Sequence, residues 1–341
     1  MERDSQRGRY VLKRILFVSS GLMLLLAIMF YLGLAIGSTG YDLFEVIEGL
    51  FFANQDNTES VAQTIIWQIR LPRVLLATFV GGTLGVGGLV FQALLRNPLA
   101  EPYILGISGG SAVGAIVGMM LGLAMFPGVA GLAFLGSIVT LIVVLFIATG
   151  RRLFQENSLL LAGVMVNAFC SAIIMFLISM TRNAKLQNVL FWLMGDLSNT
   201  VLEQTLALGC ILLPCFIFVF IMARPMNILQ LGRETALSLG VHVLGVTLSL
   251  LIVTSLIVSA IVCLSGLVGF VGLVIPHILR LVLGSDHRIL VPASVIGGGV
   301  FMVGCDLLAR SLPSQGELPV GVVTAIIGAP LFIFLLYRSK T

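Results

Sequence analysis

Charge is scarce in this chain. Of 341 residues only 10% are Asp, Glu, Lys or Arg, where a soluble domain carries about a quarter. Lysine is rarest, with only Lys13, Lys185 and Lys340. None of them sits in a G-x-x-x-x-G-K-[ST] phosphate loop, which excludes ATP binding by that route. HExxH, GxSxG and His/Cys clusters are also lacking. The three histidines, His242, His277 and His287, lie apart in sequence near expected span ends, where interfacial or capping roles are the ordinary reading. Carboxylates are nearly missing from the apolar stretches. Ion-driven carriers usually place such groups inside the membrane, so their scarcity argues against that class. Cys170, Cys210, Cys215, Cys263 and Cys305 all fall in apolar stretches without CxxC spacing. They read as small buried hydrophobes rather than a disulfide or metal framework.

What is abundant is hydrocarbon. The chain is 58% hydrophobic with a mean hydropathy of +1.12, and its 38 glycines suit closely packed transmembrane helices. At about 20 apolar residues per crossing, the pattern predicts an all-α integral membrane protein with about ten spans. They are expected at 15–37, 71–94, 104–124, 127–149, 158–180, 201–223, 242–264, 266–284, 290–311 and 318–337. Pro127-Gly128 divides one overlong apolar stretch, and Gly266 with Gly269 divides another. The basic N-terminus followed by the run from Ile15 to Ile36 is longer than a signal-peptide core and reads as a retained first span.

An even span count puts both termini on one side. With that side inside, inner segments hold 14 Lys/Arg and outer segments five, as the positive-inside rule requires. The net charge of +4 therefore speaks to topology and calls for no nucleic-acid partner. The outer segment 38–69 is acidic, with Asp42, Glu45, Glu48, Asp56 and Glu59. Trp67, Trp192 and Tyr337 fall near span ends, as an aromatic belt would place them. Gly106, Gly110, Gly114, Gly118 and Gly122 recur every four residues, giving the third span one face without side chains, suited to close helix packing.

Three features ask for a functional reason. Arg70 and Arg73, around Pro72, stand at the outer start of the second span against the charge rule. They either snorkel or face an acidic partner. Arg310, also outer, lies four residues after Asp306 and can pair with it along the helix. The inner segment 224–241 is too long for a simple connector. Leu229, Leu231, Thr235, Ala236 and Leu239 suggest a short amphipathic helix closed by Gly240, suited to protein docking or to the membrane surface.

Taken in order, eight pieces carry a resemblance. They are Arg70-Leu-Pro-Arg73; Asn97-Pro-Leu-Ala-Glu-Pro102; Leu159-Leu-Leu-Ala-Gly163; Trp192-Leu-Met-Gly195; Arg224-Pro-Met-Asn227 with Leu231-Gly232; Gly269-Phe-Val-Gly-Leu-Val-Ile-Pro-His277; Asp286-His-Arg288; and Glu317-Leu-Pro-Val-Gly321 with Gly328-Ala-Pro330. From about residue 65 onward the chain resembles the FecCD-type permease subunits of ABC importers for iron-siderophores, haem and vitamin B12. The resemblance implies a vitamin B12 permease-like fold of ten helices, paired with a second permease, expected as a homodimer. The path would lie at the dimer interface, lined by the fifth and tenth spans. Two ATP-binding subunits would sit on the cytoplasmic side and an extracytoplasmic binding protein outside. It assigns Arg70, Arg73 and Arg310 to binding-protein docking. Leu229, Leu231, Gly232, Arg233, Glu234, Ala236, Leu239 and Gly240 fall to ATPase coupling. Glu156 and Asn157 fall at the cytoplasmic gate, where the family favours small hydroxylated residues, from which Glu156 departs. No cofactor or metal is expected on this chain, since ATP and Mg belong to the partner ATPase. No catalytic residue is expected either. The setting implied is a bacterial or archaeal cytoplasmic membrane with both termini inside. The alternative from another class is a secondary carrier without an ATPase. A membrane-embedded enzyme is a third, without a catalytic constellation to support it.

Overall fold

The computed structural model describes residues 2–36, 64–148, 156–181, 183–313 and 316–339, and these contain helices and turns with no strand. In chain order the helices are α1 (Glu2–Ala35), α2 (Leu71–Leu94), α3 (Ile107–Met120), α4 (Ala130–Ala148), α5 (Glu156–Met180), α6 (Asn183–Leu193), α7 (Leu202–Ile221), α8 (Ala223–Leu229), α9 (Arg233–Ser238), α10 (Val243–Ser265), α11 (Val271–Leu283), α12 (His287–Ser311) and α13 (Val320–Ser339). A wider helical turn over Ile65–Arg70 feeds α2, a tight one over Pro102–Leu105 precedes α3, and another wide one over Met125–Val129 precedes α4.

Seven of the described helical stretches are long and apolar enough to cross a membrane. Shorter apolar helices stand where 104–124, 266–284 and 318–337 were expected to cross. For α3 and α11 the difference is substantial: they have 14 and 13 residues, or about 20 Å at 1.5 Å per residue, short of a ~30 Å hydrocarbon core. The rest of each expected span is turn or irregular backbone, and polar groups around the 266–270 break are paired inside the protein. The Phe270 N–H donates to Oε1 of Glu101 at 3.0 Å, and the Val268 N–H to the Tyr103 hydroxyl at 3.3 Å. The Asp196 N–H donates to the Ser265 carbonyl at 2.9 Å, and the Val320 N–H to the Gly195 carbonyl at 3.0 Å. Irregular backbone survives at membrane depth only where protein satisfies it in this way. Gly266 and Phe270 both adopt positive φ and make the reversal expected at Gly266 and Gly269.

α2 is the hub. Of its most apolar stretch 83% is buried, against 17% for α5, so α2 runs through the bundle and α5 along its edge. α2 packs against α1, α7, α10, α11 and α12. Its approach to α12 depends on missing side chains. A Cβ on Gly81 would fall on the Gly298 carbonyl, a Cβ on Gly298 on the Gly81 carbonyl, and one on Gly85 within 2.5 Å of the Ser294 carbonyl. Backbone contact of this kind is how helices gain dispersion energy where lipid supplies no hydrophobic contrast. The glycine stripe of the third span works likewise: Gly110 and Gly114 lie against the backbone of Gly136 and Leu132 on α4. The stripe's outer members, Gly106 and Gly122, take positive φ at the turns. Large apolar side chains remain exposed on the perimeter, Phe146 at 80% and Phe169 at 68%, the faces a bilayer or a second subunit would cover.

Candidate functional site

Two clusters lie at the two ends of α12. Asp286 and Asp306 are 20 positions apart, so the clusters stand about 30 Å from one another.

At the first end lie α8 and α9. Where one helix closed by Gly240 was expected, there are two, broken at Gly232 (φ +116) and ended by Gly240 (φ +78). The inward side is apolar and tight: Ala223, Met226, Leu229 and Ala236 are buried. The other side carries Leu231, Leu237 and Leu239, exposed at 66%, 55% and 59%. Arg233 and Glu234 open α9, and Arg96 and Arg233 share a cavity of about 50 Å³ with Leu229 and Thr247.

Asn227, on α8, binds the start of α12. Its Nδ2 donates to Oδ1 of Asp286 at 2.8 Å. Its Oδ1 accepts from the His287 N–H at 2.9 Å and faces His287 Nδ1 at 2.7 Å, which places the imidazole proton on Nδ1. His287 is fully buried. Asp286 is the N-cap of α12, accepting from the Arg288 N–H at 3.0 Å, and the Arg288 guanidinium grips the same carboxylate at 2.6–3.1 Å. Burial pushes the Asp286 carboxyl upward, but the hydrogen bonds from Arg288 and Asn227 prevail and hold it at about 2. His242 caps α10, its Nδ1 accepting from the Gly245 N–H at 3.1 Å.

At the other end of α12 the three arginines meet. Arg70, Arg73 and Arg310 are exposed by only 4%, 5% and 8%, and each is engaged within the chain. Arg70 Nη1 donates to the carbonyls of Leu34 and Ala35 at 2.6 and 3.0 Å. Arg310 donates to Gly33 at 3.0 Å and Ile36 at 3.4 Å. Together they cover the last turn of α1, whose carbonyls lack helical partners and whose dipole end attracts cations. Arg73 Nε donates to Oδ1 of Asp306 at 2.8 Å, and Arg73 Nη1 pairs with Glu317. The expected Asp306–Arg310 pair is present at 3.0 Å. Asp306 is fully buried between the two arginines, while the Glu317 side chain is 45% exposed. These arginines are therefore neither snorkelling nor laid open on the surface: they hold α1, α2 and α12 together.

Two more cations do the same at other helix ends. Lys185 Nζ donates to Met119 and Met120, closing α3, at 3.0 and 3.1 Å. Arg14 Nη2 donates to Leu283, closing α11, at 2.8 Å. Sequence reasoning missed these roles, because the partners lie 65 and 269 positions away. The Asn227–Asp286–His287 cluster was within reach only as two separate motifs. Residues 149–155, ahead of the two gate positions, lie outside the described residues. α5 begins at Glu156, and the side chains of residues 156 and 157 also lie outside the description. Among the described residues no group of three His, Cys, Asp or Glu side chains could hold a metal ion. Cys170 and Cys305 are buried, while Cys210 is exposed on the perimeter.

Comparison with known proteins places these clusters in a family. The model of the FecCD transport family matches residues 25–338. The vitamin B12 import system permease protein BtuC of Klebsiella pneumoniae is 43% identical over 280 residues, covering 82% of this chain and 84% of that one. The hemin transport system permease protein HmuU of Yersinia pestis is 41% identical over 284 residues, covering 81% and 84%. A solved ABC transporter of the metal-chelate type, in an inward-facing conformation, superposes with a TM-score of 0.82 at 32% identity over 94% of this chain and 99% of that one.

Proposed function

The chain belongs to the FecCD transport family, and from that premise we propose that it is the membrane permease subunit of an ABC importer carrying an iron chelate, with a ferric siderophore as first choice and a corrinoid or haem next. The relatives named above are permeases for vitamin B12 and hemin, which supports the class of cargo and leaves the individual chelate to the binding protein. The observation that carries the reading within this molecule is α8–α9. It is an ordered segment with a buried face locked to the bundle and three leucines exposed on the opposite side, a surface suited to seating in an ATPase.

In this reading the chain makes ten crossings of a cytoplasmic membrane with both termini inside. The shorter helices α3 and α11 are completed by irregular backbone. Two copies form the path along α5 and α13, whose Met165, Phe169, Ile333 and Phe334 are exposed. Two ATPase subunits seat on Leu231, Gly232, Arg233, Glu234, Leu239 and Gly240, while Leu229 and Ala236, expected at the same contact, are buried and anchor the segment to the bundle; the ATPases alone use ATP and Mg2+. Glu156 and Asn157 sit at the inner gate. ATP binding draws the ATPases together, and rigid-body motion of the permeases alternates the open side. The chain makes and breaks no covalent bond. It holds two arrangements whose populations its partners shift.

The binding protein docks at the arginine end by exchanging partners. An acidic side chain of the docking protein displaces half-exposed Glu317 from Arg73, while Arg70 and Arg310 stay on α1. Glu317→Gln then tightens docking at low salt and Arg73→Gln weakens it. Equal affinities for both variants and the unmodified chain would remove docking from this cluster.

The transport reading is tested in proteoliposomes holding the chain with its ATPase and binding protein, with ferric siderophore, cobalamin and haem as cargoes. Uptake of one of them that needs ATP and Mg2+, and stops with vanadate, is expected. Uptake by the chain alone, driven by an ion gradient, would contradict it.

A further inference from the structure

We propose that Asn227 is a positioning residue that couples the ATPase-facing segment to α12, turning movement of α8 into movement of the α2–α12 pair and so of the opposite end of the molecule. The proposal rests on the coupling assignment of α8–α9 made above.

The geometry has three parts. First, one amide side chain makes a directional joint. Its donor goes to Asp286 at 2.8 Å, and its oxygen meets both the backbone N–H and Nδ1 of His287 at 2.9 and 2.7 Å. The three contacts fix Asn227 relative to the first turn of α12, and the imidazole among them is fully buried. Apolar contacts by Met226 and Ala223 could slide. These hydrogen bonds cannot slide without breaking.

Second, beyond Pro292, which interrupts its second turn, α12 is held stiff by its contact with α2. It is continuous from His287 to Ser311, and its glycines and Ser294 lie against the backbone of Gly81, Gly82 and Gly85 on α2. Contacts between backbones leave no flexible side chain to absorb a displacement, so α2 follows α12.

Third, the far end of α12 is anchored. Asp306 holds Arg73 of α2 at 2.8 Å and Arg310 at 3.0 Å, and Arg310 reaches the last turn of α1. A push on Asn227 is therefore delivered about 30 Å away, to α1, α2 and the loop bearing Glu317.

The test uses the full complex in nanodiscs, with spin labels on Leu312→Cys in both permease copies and the native cysteines replaced. Leu312 is 66% exposed beside the end of α12. The distance between labels is measured without nucleotide and after trapping with ATP, Mg2+ and vanadate. The expected result is that Asn227→Ala keeps the ATPase at the unmodified ratio and keeps basal hydrolysis within about twofold, but loses at least four-fifths of the ATP-driven distance change. Asn227→Asp, which sets a carboxylate against Asp286, is expected to behave the same way. The exchanged pair Asn227→Asp with Asp286→Asn restores an amide-to-carboxylate hydrogen bond between α8 and α12, at the expense of the Arg288 contacts that share Oδ1 of Asp286, and regains part of the movement. Should Asn227→Ala fail to assemble, the exchanged pair decides by assembling and moving. Normal movement in Asn227→Ala, no recovery in the exchanged pair, or loss of the ATPase from Asn227→Ala alone each overturns the proposal. Absence of an ATPase from the unmodified complex overturns the coupling assignment, and this proposal with it.

Discussion

Arg73 and Asp306, 233 positions apart in sequence, meet at 2.8 Å with both side chains almost wholly buried. Removing one partner of such a pair leaves an uncompensated buried charge, at a cost of about 3–5 kcal/mol. Asp306→Asn strands two arginines at once, since Arg310 shares the same carboxylate. Its thermal unfolding in detergent is expected at a clearly lower temperature than that of Glu317→Gln, whose partner bond is half-exposed. Equal melting of the two variants would mean that Asp306 is not the keystone of this end.

Arg70 holds the final carbonyls of α1. Hydrogen bonds to charged groups contribute about 1.5–3 kcal/mol. Arg70→Ala is therefore expected to speed amide exchange at residues 31–36 at least tenfold, with little change on α10. Unchanged exchange there would leave Arg70 free for another role.

The α2–α12 contact depends on the two glycines having no side chains. Gly81→Val or Gly298→Val must push the two backbones apart, where overpacking costs about 1–3 kcal/mol or more. Poor recovery of folded protein is expected for each. Gly21→Val, with open space around it, is expected to express normally. Equal yields for all three would refute the close approach.

Asp286 gives the α8 end of α12 an acid-side pH dependence. Its carboxyl is held at about 2 against an ordinary 3.8. A depressed carboxyl contributes stability that is complete above the ordinary value and is lost as the pH falls through the depressed one. The gap in melting temperature between the unmodified chain and Asp286→Asn is thus expected to stay flat from pH 5 to 8 and to close between about 4 and 2. A gap that varied across neutral pH would point to a different titrating group.

The sequence showed the membrane class, the glycine stripe, the reversal at Gly266 and the Asp306–Arg310 pair, because each rests on local composition or on an i, i+4 spacing. At 104–124 and 266–284 the helices are shorter than the apolar stretches, because hydropathy counts apolar residues whether or not their backbone is helical. There Glu101 and Tyr103 satisfy the backbone of Val268 and Phe270 from far along the chain. The sequence placed Arg70, Arg73 and Arg310 at one end of the molecule. That their guanidinium groups turn inward, onto the end of α1 and onto Asp306, depends on tertiary contacts that no spacing reveals. The resemblance picked out Asn227 and Asp286 as members of separate motifs, and only the fold brings them together.

The central claim is that this chain works as one part of an ATP-driven importer. The direct test is to purify the tagged chain from its native cells in mild detergent and identify what accompanies it. An ATPase subunit in equal amount, lost when Leu231 and Leu239 are both changed to Asp, is the predicted result. A stable chain that repeatedly purifies free of any ATPase would contradict the account.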